Sequence, residues 1–162
     1  MSTPGFLLIG VIGGSTPTPD EAAAAEAVGC GVAEAGAVLI CGGRGGVMEA
    51  ACRGAKGAGG LTIGVLPGIS RGQANAYVDI PVVTGIGEAR NAIIARTADV
   101  VIAIGGSYGT LSEIAYAVGF DKPVVGLGTW TMERVGHPAV PLVRVETPGE
   151  AVERALALAA AS

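Results

Sequence analysis

The stretch Asp99-Val100-Val101-Ile102-Ala103-Ile104-Gly105-Gly106-Ser107-Tyr108-Gly109-Thr110 decides how this chain folds. Its first half is a short apolar run rich in Val and Ile and closed by glycine. Such a run suits a strand covered on both faces, as in a parallel sheet. A helical pattern follows, through about Gly119. The same strand–glycine–helix order recurs upstream. Phe6–Ile12 runs into Gly13-Gly14-Ser15, and Ala37–Cys41 runs into Gly42-Gly43-Arg44-Gly45-Gly46.

The intervening segments complete an alternating pattern. Thr18-Pro19-Asp20-Glu21 predicts a capped helix start with a capping box, and Gly36 predicts its end. Ala24, Val28 and Val32 are its expected apolar face. Val47–Ala58 and Gly87–Ala98 are further helices, the latter with Ala89, Ile93 and Ala92 turned inward. Leu61–Leu66, Tyr77–Val83, Pro123–Leu127 and Leu142–Val145 are strand candidates. Ile69–Ala76 is a polar loop. Thr147-Pro148-Gly149-Glu150 repeats the capping pattern before an alanine-rich terminal helix. Thr110 and Glu113 also have capping-box spacing. Alternating strands and helices predict one α/β domain over residues 1–162. It is a three-layer, Rossmann-like fold with a mostly parallel sheet and helices on both faces.

Composition narrows the function. Of 162 residues, 50% are hydrophobic and 28 are glycine, while only 15% are charged. An ordinary domain carries roughly a quarter charged residues, so a disordered chain is excluded. The net charge of −4 is unsuited to neutralising a polynucleotide backbone, and no nucleic-acid partner is expected. No apolar run approaches the roughly 20 residues of a membrane helix. Met1-Ser2-Thr3-Pro4 places no basic region ahead of the first strand, so no secretory leader is expected. Cys30, Cys41 and Cys52 are odd in number and widely spaced. They read as buried thiols of a cytoplasmic protein. His137 is the sole histidine, which leaves no His-rich metal site and no Ser-His-Asp triad. No metal and no resident cofactor is expected.

The glycine turns carry the chemistry. Ligands of parallel sheets sit at the carboxyl rim of the strands. There, Gly105, Gly106, Ser107, Tyr108, Gly109 and Thr110 can present backbone N–H groups and hydroxyls at a helix start, where an anion is favoured. The alternative is a turn demanded by packing. Gly42, Gly43 and Arg44, with Gly13, Gly14 and Ser15, form comparable turns. Arg44 either faces a ligand anion or points to solvent. None of these turns is a P-loop or a G-x-G-x-x-G match. Arg90, near a helix start on the same rim, suits a phosphate or carboxylate clamp, and Glu88 and Asn91 are polar neighbours. Glu113 either completes its helix cap or turns toward a ligand. The Trp130–Pro141 segment, with Met132 and His137, either covers the pocket or an interface, or closes as a loop cluster of its own.

Gly42-Gly43-x-x-Gly-x-Met48, the Arg90 helix and Gly105-Gly106-x-x-Gly-Thr110-x-x-Glu113 together resemble the Lonely Guy ("possible lysine decarboxylase") superfamily. The similarity spans nearly the whole chain and is greatest to a short bacterial, DprA/Smf-related subgroup. The molybdenum cofactor carrier protein is similar as well. The resemblance implies a nucleotide- or phosphate-binding domain. It implies Arg90 and Glu113 as catalytic residues of a nucleoside 5′-monophosphate phosphoribohydrolase, or else a non-catalytic carrier of a phosphorylated cofactor. The expected partner is a small phosphorylated molecule such as a nucleotide, bound by a homodimer or higher homo-oligomer. The Val47–Ala58 and Gly87–Ala98 helices would pack it through Ala50, Ala51, Ala89 and Ala92. Lysine decarboxylation is not expected, since Lys56 and Lys122 are the only lysines and lack a pyridoxal-phosphate context. Ile104 stands where the family motif begins with proline, and Asn91 stands where active members carry lysine.

Overall fold

A computed structural model describes residues 5–162. Met1-Ser2-Thr3-Pro4, on which the leader expectation rests, lie outside the described residues. The order is β1 (Leu8–Gly13), α1 (Pro19–Glu34), β2 (Val38–Cys41), α2 (Val47–Gly57), β3 (Thr62–Leu66), β4 (Ile80–Val83), α3 (Asn91–Thr97), β5 (Val100–Ile104), α4 (Tyr108–Gly119), β6 (Val124–Leu127), β7 (Val143–Val145) and α5 (Pro148–Ala160). The sheet runs β4-β3-β2-β1-β5-β6-β7, and every neighbouring pair is parallel. This is the expected three-layer Rossmann-like α/β fold.

The apolar runs are continuous because both faces of the sheet are covered. Side chains alternate along β5. Val100, Ile102 and Ile104 pack in a core with residues of α1, α2 and α5, while Val101 and Ala103 pack in a second core with residues of α3 and α4. All five β5 residues are buried. The edge strand β4 carries Pro81, whose missing N–H is tolerated at a sheet edge.

Glycine lets α1 and α2 approach backbone to backbone. A Cβ at Gly29 would overlap the Ala51 carbonyl oxygen, and a Cβ at Gly54 would overlap the Glu26 carbonyl oxygen. Ala50 and Ala51 are consequently buried within this chain, so they fill its own core rather than a partner's. Val28 and Val32 bury as expected, with Ala25 and Gly29, while Ala24 is only half-buried. Thr18 caps α1 by accepting from the Glu21 N–H at 3.1 Å. The Glu21 carboxylate does not close the expected capping box; it lies against Gly105.

Two other helices begin differently from the sequence expectation. A 3₁₀ turn over Gly87–Arg90 precedes α3. Arg90 is thereby carried inward, and the buried face is Arg90, Asn91, Ile94, Ala95 and Ala98. Ala89 and Ile93 are exposed and Ala92 half-buried, which overturns their expected inward placement. Helix α4 begins at Tyr108 with Ser107 at its N-cap. Thr110 and Glu113 therefore lie inside the helix, and the expected capping box between them is absent. Gly105 (φ 53°) and Gly106 (φ 109°) complete the reversal in two residues, so the helix starts early.

Cys30, Cys41 and Cys52 are free thiols; Cys30 is half-buried rather than buried. Among the described residues, no helix is long and apolar enough to cross a membrane. The α1–α2 crossing supplies a direct test. Gly54→Val must displace backbone, and we expect a stability loss of about 1–3 kcal/mol in urea unfolding. Gly57→Val, where a Cβ meets open space, should leave stability unchanged or slightly raised, since valine is the better helix former.

Candidate functional site

Strands β1 and β5 are neighbours, yet the helices that follow them leave on opposite faces of the sheet. Such a switch point opens a crevice at the carboxyl ends of the strands. Here it is a cleft of about 430 Å³, whose walls include Ser15, Arg44, Arg90, Ser107, Thr110 and Glu113.

The turn after β5 forms one wall. The Gly105 N–H donates to the Leu127 carbonyl at 3.1 Å. The Thr129 hydroxyl donates to the Gly105 carbonyl at 2.6 Å. These bonds pin the turn from the β6 side. None of the N–H groups of residues 106–110 donates to another described residue. Five successive donors are left free at a helix start, where the backbone dipole also favours negative charge. The buried Thr110 hydroxyl has no partner either.

Arg90 forms the floor. It is only 6% exposed. Its Nη1 donates to the carbonyls of Gly42 and Val65, at 2.5 and 2.7 Å, while Nε has no partner. A Cβ at Gly42 would overlap Nη1, so glycine is required there. Asn91 beside it is buried; its Nδ2 donates to the Ser112 hydroxyl at 3.3 Å, and its Oδ1 is unpartnered.

Glu113 is 7% exposed, one turn into α4. Burial pushes its carboxyl up to about 8, against the opposing pull of Arg90 and with a smaller push from Glu88. Arg90 and Glu113 form no ion pair. At neutral pH Glu113 is therefore a neutral acid, able to donate a hydrogen bond to an anion.

Of the residues expected at the site, Gly13, Ser15, Arg44, Arg90, Ser107, Gly109, Thr110 and Glu113 share this cleft. Gly14, Gly42, Gly43, Gly105, Gly106 and Tyr108 do not form its walls. The Gly14 carbonyl accepts from the Val47 N–H at 3.0 Å. Gly43 (φ 74°) lies against Gly64, and its N–H donates to the Cys41 sulfur at 3.3 Å. Gly105 and Gly106 shape the turn, and the Tyr108 ring faces outward. Gly45 and Met48, which the sequence places in the turn after β2 without a ligand role, and Pro67, which it passes over, also line the cleft, as do Asn91, expected only as a polar neighbour, and Glu88, a candidate second carboxylate of the hydrolase reading. Pro67 carried one usable signal: it directly follows β3, on the rim where the other turns lie.

Residues 6–152 match the SLOG cluster4 family. The chain belongs to this family. Among its similar proteins is an uncharacterized protein of Archaeoglobus fulgidus, 43% identical over 150 residues, which are 91% of this chain and 93% of that one. The molybdenum cofactor binding protein of the phototrophic bacterium Rippkaea orientalis is 37% identical, with a TM-score of 0.87 over 96% of this chain and 99% of its own. The molybdenum cofactor carrier protein of Chlamydomonas reinhardtii is 36% identical, with a TM-score of 0.84 over the same shares. DNA processing protein A of Helicobacter pylori shares the fold alone, at 20% identity and a TM-score of 0.68 over 93% of this chain and 80% of its own. This SLOG cluster4 chain thus matches the carrier side of the expected superfamily more strongly than the DNA-processing side.

The Glu113 environment predicts a pH signature. The folded protein keeps a proton that the unfolded chain releases from its ordinary value of 4.5, up to about 8. Stability contributed by this group is full below 4.5 and declines as pH rises to about 8, by the order of 1 kcal/mol per pH unit. Unfolding free energies measured from pH 4.5 to 8.5 should show this fall in the wild type, and E113Q should lack it. Parallel profiles for the two proteins would contradict a neutral Glu113.

Proposed function

We propose that this protein reversibly binds and carries a small phosphorylated cofactor of the molybdopterin type, without cleaving it. One observation carries the reading: Ser107, Gly109 and Thr110, whose N–H groups have no partner, line a cleft in which the buried Thr110 hydroxyl and Arg90 Nε are unpartnered too. A phosphate monoester supplies acceptors for all of them. Arg90 and Arg44 add positive charge beneath and beside it. The printed descriptions of the Rippkaea and Chlamydomonas proteins, molybdenum cofactor binding and carrier, support the cargo class.

The descriptions of the similar binding and carrier proteins support holding over hydrolysis. Splitting an N-glycosidic bond builds positive charge on the sugar, which an ionised carboxylate would stabilise. Glu113 is kept neutral near pH 7, so it suits a hydrogen bond to the phosphorylated ligand. The phosphoribohydrolase expected first is thus less well supported than the carrier. We place the carrier in the cytoplasm as a homo-oligomer, with exposed Ala89 and Ile93 of the α3 region available to a second copy.

Isothermal titration with a molybdopterin-type cofactor should show binding. Gly106→Val should weaken it at least about tenfold, the effect of losing one or two charge-assisted hydrogen bonds. A Cβ there meets the Thr110 side chain at a φ that favours glycine. E113Q keeps a hydrogen-bond donor and should largely spare binding. Incubation with AMP should release no adenine. Adenine release that E113Q abolishes would replace the carrier reading with the hydrolase.

A further inference from the structure

Two aromatic rings stand beside the phosphate turn, and the cleft chemistry does not use them. Tyr108 is the first residue of α4, between the wall residues Ser107 and Gly109. It is 80% exposed. Trp130 lies alongside, with ring centroids 6.0 Å apart and planes tilted by 31°. Its indole N–H donates to the Ser107 carbonyl at 3.1 Å. Its own carbonyl accepts from Arg144 at 2.9 Å, and its side chain packs on the α3–α4 core. Trp130 is therefore fixed, whereas Tyr108 lies beside it with most of its ring open to water.

An exposed tyrosine is costly in apolar surface, and this chain spends few aromatics: one tryptophan, three tyrosines and two phenylalanines. The tryptophan and one tyrosine meet at the lip of the anion site. A separation of 6.0 Å leaves no room for a third ring between them. The accessible ring surface is that of Tyr108.

From this we infer that the Tyr108–Trp130 pair is a stacking platform for a planar heteroaromatic ring joined to the phosphate, such as a fused pyrimidine. The inference rests on the phosphate reading above and deepens it: the turn recognises the phosphate, and the platform selects ligands that carry a ring. Removing the Tyr108 side chain should cost roughly tenfold in affinity, the scale of one lost base–aromatic stack. The Tyr108 N–H is retained in any such substitution.

Trp130 is the sole tryptophan, so its fluorescence reports directly on the platform. Ribose 5-phosphate, which has no aromatic ring, and guanosine 5′-monophosphate are titrated into the wild type, Tyr108→Ala and Tyr108→Phe. Calorimetry gives the affinities, and Trp130 emission is followed in parallel. The readout is the ratio of the two affinities within each protein. In the wild type, guanosine monophosphate should bind about tenfold tighter and change Trp130 emission. Tyr108→Phe should keep that ratio, and Tyr108→Ala should bring it close to one. Equal affinities in the wild type, or a ratio that Tyr108→Ala leaves intact, would overturn the platform while the phosphate site stands. Binding of neither compound would remove the phosphate reading and the platform with it.

Discussion

The buried guanidinium of Arg90 is the interaction on which the site depends. A single nitrogen, Nη1, donates to the Gly42 carbonyl after β2 and to the Val65 carbonyl in β3. Those bonds tie the carboxyl ends of two strands to the start of α3. A buried cation without acceptors would be strongly unfavourable. The two carbonyls offset that cost without neutralising the charge, since neither is an anion. The charge therefore remains available to the cleft, where Nε is unpartnered. Gly42 is the complementary constraint, because any side chain there would occupy the guanidinium's position.

Around this floor, the charge of the cleft differs from that of the chain as a whole. The net charge is −4, which disfavours extended polyanions at long range. Within the cleft the balance reverses. Arg44 and Arg90 are cationic, the start of α4 leaves N–H groups without partners, and burial suppresses the charge of Glu113. Glu21, which could have opposed an anion, lies against Gly105 and outside the cleft walls. Small anions are favoured locally while the surface as a whole remains negative.

The layering of the sheet underlies this arrangement. Close approach of α1 to α2, permitted by Gly29 and Gly54, holds α2 tightly against one face. The start of α2 is itself tied to the end of β1 through the Val47 N–H and the Gly14 carbonyl. The turns after β1, β2 and β5 thus converge on one crevice although they are far apart in sequence.

Much of this was legible in the residues themselves. Apolar runs closed by glycine and alternating with capped helices specify a parallel sheet, because the chemistry involved is local: β-branched packing, helix capping and glycine turns. That Ser107, Gly109 and Thr110 would share a cleft was legible for the same reason, since each sits just beyond a strand end; Arg90 and Glu113 lie farther on, and their place in the cleft was expected from the family motif. What depends on partners distant in sequence was not legible. The inner face of α3 follows from a 3₁₀ turn and from carbonyls at Gly42 and Val65. The different duties of the glycines, some lining the cleft and others only making room, depend on which backbone lies opposite. The protonation of Glu113 depends on how completely neighbouring elements exclude water. Local sequence determines where the chain turns; only the packed structure decides which atoms at those turns are left unsatisfied, and unsatisfied atoms are what recognise a ligand.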